Sequence, residues 1–196
     1  MPSSLLAATI RGFRIVQREG VPTIFLRCTR KLLSRLRSVE DPPSSVPRRG
    51  ILGDWYAATM VSRRRQLVVG TNARTLLTVV VPLAPASGFI ERFQRAARGR
   101  IEQVVAWPEK QAAELADLAD IRIGRTESRS VVGSMNQMIF EAEGWLESRP
   151  AGDLDELGWW LTETPRLALR TSWPIYEVEL LMTGGVTHPH IRIRPE

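Results

Sequence analysis

The stretch Asp54–Leu83, DWYAATMVSRRRQLVVGTNARTLLTVVVPL, gathers most of the β-forming apolar residues of the chain and meets no proline before Pro82. Trp55–Val61 is aromatic, β-branched and small; Ser62-Arg63-Arg64-Arg65 interrupts it, and Gln66–Val69 resumes the apolar run, which predicts a hairpin with a basic tip. Gly70-Thr71-Asn72-Ala73-Arg74 is the next break, because Gly and Asn tolerate the left-handed backbone of a tight turn. Thr75–Val81 then reads as a third strand, stopped by Pro82, and the three together predict an antiparallel meander. Leu76, Leu77, Val79, Val80 and Val81 are apolar on both faces of the pleat, the pattern of a central strand covered on both sides or nearly so. Burying those side chains contributes on the order of 10 kcal/mol before entropy is subtracted.

The rest of the chain is long enough for one good core with a small appendage: 196 residues, 43% of them hydrophobic. No window approaches a membrane span, and the N-terminal apolar run Leu5–Ile10 is short, with its charges after it rather than before, so it makes a poor signal peptide. Cys28 is the single cysteine, which excludes an internal disulfide and any cysteine-rich metal site and fits a reducing compartment. A cytoplasmic protein is expected. The formal charge of +6 invites an anionic partner, since clustered arginines neutralise phosphates and release counterions. Arg nevertheless outnumbers Lys overwhelmingly, Lys31 and Lys110 being the only lysines, a usage that a GC-rich genome produces by itself.

Met1–Pro22, with its short amphipathic segment Ile10–Val16, reads as a flexible extension. Thr23–Cys28 predicts a strand with Ile24, Leu26 and Cys28 on one face and Phe25 with Arg27 on the other. Thr29 is positioned to cap a short helix with Leu32, Leu33 and Leu36 inward. Ser38–Gly53, with three prolines, is a surface loop. Helical spacing recurs over Gly88–Val105, over Pro108–Asp120, and over Val131–Glu147, the last capped by Ser128 or Ser130; Ile121–Gly124 suits a short strand at the sheet edge. Asp153 and Glu156 open a helix carrying Trp159 and Trp160. Ile175–Met182 alternates as a half-buried strand, with Ile191–Arg194 as its partner. The fold class is α+β: a mostly antiparallel sheet built on the three-stranded meander, with helices packed on one face. The organisation expected is an extension over 1–22, an α+β core domain over 23–149, and a helix plus β-hairpin appendage over 150–196.

Four blocks in order carry a family signature: Phe25-Leu-Arg-Cys-Thr-Arg-Lys-Leu-Leu, Leu52-Gly-Asp-Trp-Tyr-Ala, Thr71-Asn-Ala-Arg-Thr-Leu-Leu and Arg125-Thr-Glu-Ser-Arg-Ser-Val-Val-Gly-Ser-Met-Asn-Gln. Together they resemble the bacterial family catalogued as domain of unknown function 6933, over about residues 23–147. The sequence departs from that pattern at Gln137, where the family usually places an acidic residue. The resemblance implies no mechanism; it implies a setting in defence, toxin or plasmid-maintenance operons.

The polar residues of those blocks are Arg27, Thr29, Lys31, Asp54, Asn72, Thr126, Arg129, Ser130 and Asn136. One reading gathers them at one end of the sheet as an anion-binding concavity beside the N-terminus of the Val131 helix. The other makes them caps, turns and one Arg27–Asp54 ion pair. Arg63, Arg64 and Arg65 are candidate phosphate contacts or a solvated hairpin end. His188 and His190 would need Glu177 or Glu179 to hold a metal, so no metal and no cofactor is expected. Without a histidine in the body a His-based triad is excluded there, Cys28 lacks an evident base, and the tryptophans suit a C-terminal core better than a base-stacking platform. The function expected is a binding or accessory module for nucleic acid or nucleotide. Two alternatives stand beside it: a metal-independent nuclease-type enzyme or toxin, and a protein-interaction module whose partner comes from the same operon.

Overall fold

The computed structural model describes residues 24–37, 50–188 and 190–194; the expectations for the segment 1–22 and for most of the loop before residue 54 lie outside them. In chain order the elements are β1 (Ile24–Cys28), α1 (Arg30–Leu36), β2 (Trp55–Ser62), β3 (Arg65–Asn72), β4 (Thr78–Pro82), a 3-10 turn over Ala86–Gly88, α2 (Phe89–Val104), α3 (Pro108–Leu118), β5 (Ile121–Arg125), α4 (Arg129–Ser148), α5 (Leu154–Glu163) and α6 (Pro174–Thr183). The fold is α+β. Among the described residues no helix is long and apolar enough to cross a membrane.

The strands form one sheet in the order β4-β3-β2-β1-β5. β2 pairs antiparallel with β3, and β3 with β4, whereas β1 runs parallel to both β2 and β5. The sheet is therefore mixed, which corrects the expectation of a mostly antiparallel one. The reason lies in the connections. β1 reaches β2 through a crossover containing α1, and β4 reaches the far edge at β5 through α2 and α3; connections of that length carry the chain back to the end it left and produce parallel neighbours. Hydrophobic alternation reports which face a side chain occupies and carries no information on strand direction.

Helices cover both faces of the sheet, a second correction. Trp55, Ala57, Val68, Val79 and Val81 share one core with Leu32, Phe89, Phe93, Ala97, Ile101, Leu118, Val178 and Met182, from α1, α2, α3 and α6. Tyr56, Ala58, Met60, Leu67, Val69 and Val80 face the other way and pack with Met135, Met138, Ala142, Trp145, Leu157 and Leu161, from α4 and α5. Successive residues alternate between these cores, as period-two geometry demands. β4 is apolar on both sides as expected but stands at an edge rather than in the centre. α5 closes that edge: the Thr162 hydroxyl accepts from the Thr78 N–H at 3.1 Å and donates within the same helix to the Gly158 carbonyl at 2.9 Å. An occupied edge offers no free ladder for aggregation.

The expected C-terminal strand over Ile175–Met182 is the helix α6, so the segment forms no hairpin. Pro174 occupies its first turn, and Gly184, at φ 79°, ends it with an N–H to the Leu180 carbonyl. Val178 and Met182, four residues apart, reach the core together. Glu177, assigned outward by strand alternation, turns inward and accepts from both the backbone N–H and the hydroxyl of Thr171 at 2.9 and 2.8 Å. Ile191–Arg194 joins no sheet; the Arg194 N–H donates to the Arg170 carbonyl at 2.9 Å instead.

Between β2 and β3 the register pairs Ser62 with Arg65, leaving Arg63 and Arg64 as a two-residue turn with φ 48° and 67°. Two consecutive left-handed residues are the signature of a type I′ turn, whose twist matches the strands but which ordinarily selects Asn-Gly. Replacing Arg63-Arg64 by Asn-Gly should raise the stability to urea by about 1 kcal/mol, the relief of left-handed strain outweighing the loss of one side-chain hydrogen bond.

Candidate functional site

β2 continues past the last residue of β1 toward the hairpin tip, because the parallel register stops at Cys28 opposite Ala57. The C-terminal end of β1, from which α1 departs, thus faces the same way as the tip. The Thr29 N–H completes the ladder to the Ala57 carbonyl at 3.0 Å. Leu32, fully buried, fixes the rotation of α1 so that Arg30, Lys31, Arg35 and Arg37 are turned out. Arg35 Nη1 donates to Gln66 Oε1 at 2.8 Å and ties the helix to the start of β3. Arg63, Arg64 and Arg65 are exposed, and Arg63 Nη2 donates to the Glu147 carbonyl at 3.1 Å near the end of α4. Neither Thr29–Arg37 nor Ser62–Leu67 contains a carboxylate. One end of the molecule therefore carries a strip of cations contributed by α1 and the hairpin.

The residues singled out from the family-like blocks fall into separate places. Asp54 Oδ1 accepts from the Phe25 N–H and Oδ2 from Arg27 Nε, both at 3.0 Å, so Arg27 and Asp54 form the expected ion pair; Arg27 also lies against Glu127 and over the Phe25 ring, 4.5 Å from its centroid. Asn72 is wholly buried. Its Oδ1 accepts from Arg74 N, Thr75 N and Thr75 Oγ1, each at 3.0 Å, while Nδ2 donates to the Leu52 carbonyl at 3.2 Å. Asp54 and Asn72 lie at the opposite end of the sheet from the hairpin, holding the β3–β4 turn against the approach to β2. Thr29 sits at the N-terminus of α1 without a hydroxyl cap, and Ser128, not Ser130, caps α4 by accepting from the Val131 N–H at 3.3 Å. Thr126 is half-buried, whereas Arg129, Ser130 and Asn136 are exposed. Lys31 is on α1, which packs on one face of the sheet, and Arg129 and Asn136 are on α4, which packs on the other.

Sequence reasoning missed the most enclosed polar cluster. Glu114 and Asp117 of α3 are buried, and they cradle the backbone that enters β2: Gly50 N–H reaches Asp117 Oδ2 at 2.7 Å, Leu52 N–H reaches Glu114 Oε1 at 3.1 Å, and Ile51 N–H also bonds Glu114. Arg74 closes the cradle with a hydrogen bond to the Ile51 carbonyl at 2.6 Å. Burial drives the Glu114 carboxyl above the ordinary Glu range, opposed by the N–H groups of Ile51 and Leu52, reinforced by Asp117 and countered by Arg74. The signal available was a pair of carboxylates three residues apart, Glu114 and Asp117, each immediately preceding an apolar-stripe leucine, Leu115 and Leu118. Arg100 of α2 is likewise buried; it donates to the Asp155 carbonyl and carboxylate at 3.1 and 3.2 Å, to Gln103 at 2.8 Å, and stacks on Trp159. Burial lowers its pKa against the pull of Asp155 and Glu163.

Burial pushes the Cys28 thiol up to about 12, which leaves it an inert core residue. Of the metal-site candidates, Glu177 is committed to Thr171 and Glu179 to Thr187. Among the described residues no group of His, Cys, Asp and Glu is placed to hold a metal ion. Trp160 and Trp173 are each about a third exposed, at 38% and 36%, but Trp160 belongs to α5 and Trp173 precedes α6.

A family model described as Domain of unknown function (DUF6933) matches residues 25–177, from β1 into α6, which carries the shared region past the α4 boundary expected from the sequence blocks. No curated protein and no solved structure matches the chain.

The raised Glu114 pKa has a definite sign. A native state that holds this proton more tightly than the unfolded chain is favoured below the ordinary Glu value, and the contribution is lost as pH rises through the folded-state value. Melting temperatures measured across mildly acidic to neutral pH should therefore fall for the wild type relative to Glu114→Gln, which keeps an acceptor for Ile51 and Leu52 but cannot ionise.

Proposed function

The chain belongs to the DUF6933 family, and we propose that it is a binding module for an anionic partner, nucleic acid in preference to a free nucleotide. The observation that supports this reading is the cationic strip of α1 and the hairpin: Arg30, Lys31, Arg35, Arg37, Arg63, Arg64 and Arg65, drawn from two segments that themselves contain no carboxylate and joined by the Arg35–Gln66 hydrogen bond. Charges spread along a line suit the repeating phosphates of a backbone, where each cation neutralised releases counterions. A mononucleotide calls for a concave pocket instead.

The conformation of the tip adds a second argument. Arg63 and Arg64 hold left-handed backbone at a turn where Asn-Gly would be less strained. Strain retained at an exposed position is a pointer to function. The remaining exposed members of the family-like blocks, Arg129, Ser130 and Asn136, extend along α4 on the other face and are assigned to this partner only at its margin.

Retention on immobilised RNA or heparin should weaken steeply with salt. Changing Arg63, Arg64 and Arg65 together to Ala should reduce the slope of log affinity against log salt by about 2 to 3, and the Asn-Gly turn should lose binding while gaining stability. Failure of the wild type to bind at any salt concentration rejects the proposal. Degradation of RNA abolished by Lys31→Ala or Arg129→Ala would assign the nuclease class instead.

A further inference from the structure

Between α2, the end of β4 and the first turn of α5 lies a groove of about 380 Å3 that neither core fills and the cationic strip does not use. Arg92, Arg95, Gly99 and Gln103 line it at three- and four-residue spacing, so one side of α2 runs its whole length. Val81, Pro82 and Ala96 give it apolar walls, and a Cβ at Gly99 would meet nothing within 4 Å, which leaves its middle open. Two arginines mark one end. Arg92 is held by three carbonyls: Nε donates to Pro82 at 3.1 Å and Nη2 to Leu83 and Pro85 at 2.9 and 2.6 Å, while Nη1 has no partner among the described residues. Arg95 is exposed and forms no ion pair with Glu91, one turn earlier, or with any other described residue. The opposite end is set by the buried Arg100, whose Nη1 donates to Gln103 Oε1 at 2.8 Å and Nη2 to Asp155 Oδ1 at 3.2 Å. Each partner keeps a polar atom for the groove: the Gln103 amide nitrogen as donor and the second Asp155 oxygen as acceptor.

From this arrangement we infer that the groove binds a nucleoside monophosphate. The guanidinium groups of Arg92 and Arg95 suit a phosphate, which accepts charge-assisted hydrogen bonds. At about 1.5 Å of rise per residue, Gln103 lies about 12 Å along α2 from Arg95, the reach from the phosphate of a mononucleotide to the pairing edge of its base. Every nucleobase presents a donor beside an acceptor on that edge, and Asp155 with Gln103 complements such a pair. Sugar and ring lie between, against Val81, Pro82 and the open Gly99. Charge limits the ligand to a single anionic end. Asp155 shares the opening turn of α5 with Asp153 and Glu156, which makes the far end of the groove acidic and repels a second phosphate. A nucleic-acid backbone is thereby excluded where one nucleotide is not. The groove supplies the concavity that a mononucleotide calls for and the exposed strip lacks.

Isothermal titration of the full chain with AMP, GMP, CMP and UMP tests this. At least one should bind with a Kd below about 1 mM, and its nucleoside and inorganic phosphate should each bind at least about tenfold more weakly. Arg95→Ala removes one charge-assisted contact and should weaken the nucleotide about tenfold. Gly99→Leu fills the groove at a helical position where the substitution improves propensity, so it should abolish binding while the melting temperature holds or rises. Failure of all four nucleotides to bind at about 1 mM overturns the inference. So does a nucleoside or phosphate that binds as tightly as the nucleotide, or nucleotide binding that survives Gly99→Leu.

Discussion

Phe93 rests directly on the backbone of β3, and the arrangement of the helical layers depends on that seat. A Cβ at Gly70 would lie 2.5 Å from a Phe93 ring carbon, so only glycine admits the ring. The strand residue opposite is Ala57, also small, and the Trp55 ring meets Phe93 edge-on at 5.7 Å between centroids and 83° between planes. Seated this low, α2 brings Arg100 over the β4 edge to Asp155 and Trp159 of α5. Arg100 thereby clamps the helix whose Thr162 satisfies the edge strand. α5 in turn packs with α4 on the second face. A contact on one side of the sheet thus fixes the cover of the other.

The two ends of the sheet do different work. At the end where β2 begins, Asp54, Asn72, Arg74, Glu114 and Asp117 bond backbone groups, with Asp54 also pairing with Arg27 and Asn72 also accepting from the Thr75 hydroxyl. Buried polar atoms satisfied in this way rigidify the chain and leave little for a ligand. At the hairpin end the cations are exposed, with Arg35 and Arg63 anchored by hydrogen bonds to Gln66 and to the Glu147 carbonyl. Charged groups at such an exposed end act mainly on association rate and salt dependence.

Much of this was legible in the residues. The hairpin and its basic tip, the helices over Phe89–Val104, Pro108–Leu118 and Arg129–Ser148, and the family carried by four ordered blocks all follow from local patterns of apolar spacing and turn chemistry. The Arg27–Asp54 pair belonged to one of the two readings of the polar residues, and the structure forms it. The cap of α4 was narrowed to Ser128 or Ser130, and geometry chose Ser128. The candidate site was legible as residue types but not as a place: nine polar residues from the family-like blocks divide between turn scaffolding at one end of the sheet and two opposite faces.

What the amino-acid sequence determined on its own is the identity and extent of most elements and the apolar character of both faces of the central strands, since these depend on neighbours within a turn or a pleat. Tertiary structure alone decided the parallel placement of β1 between β2 and β5, the edge position of β4, and the helical state of Pro174–Thr183. Each of these turns on contacts between residues far apart in the chain. Alternating Tyr176, Val178, Leu180 and Met182 suits a strand locally, but Glu177 finds Thr171 and Val178 finds the core only when the segment is wound as a helix.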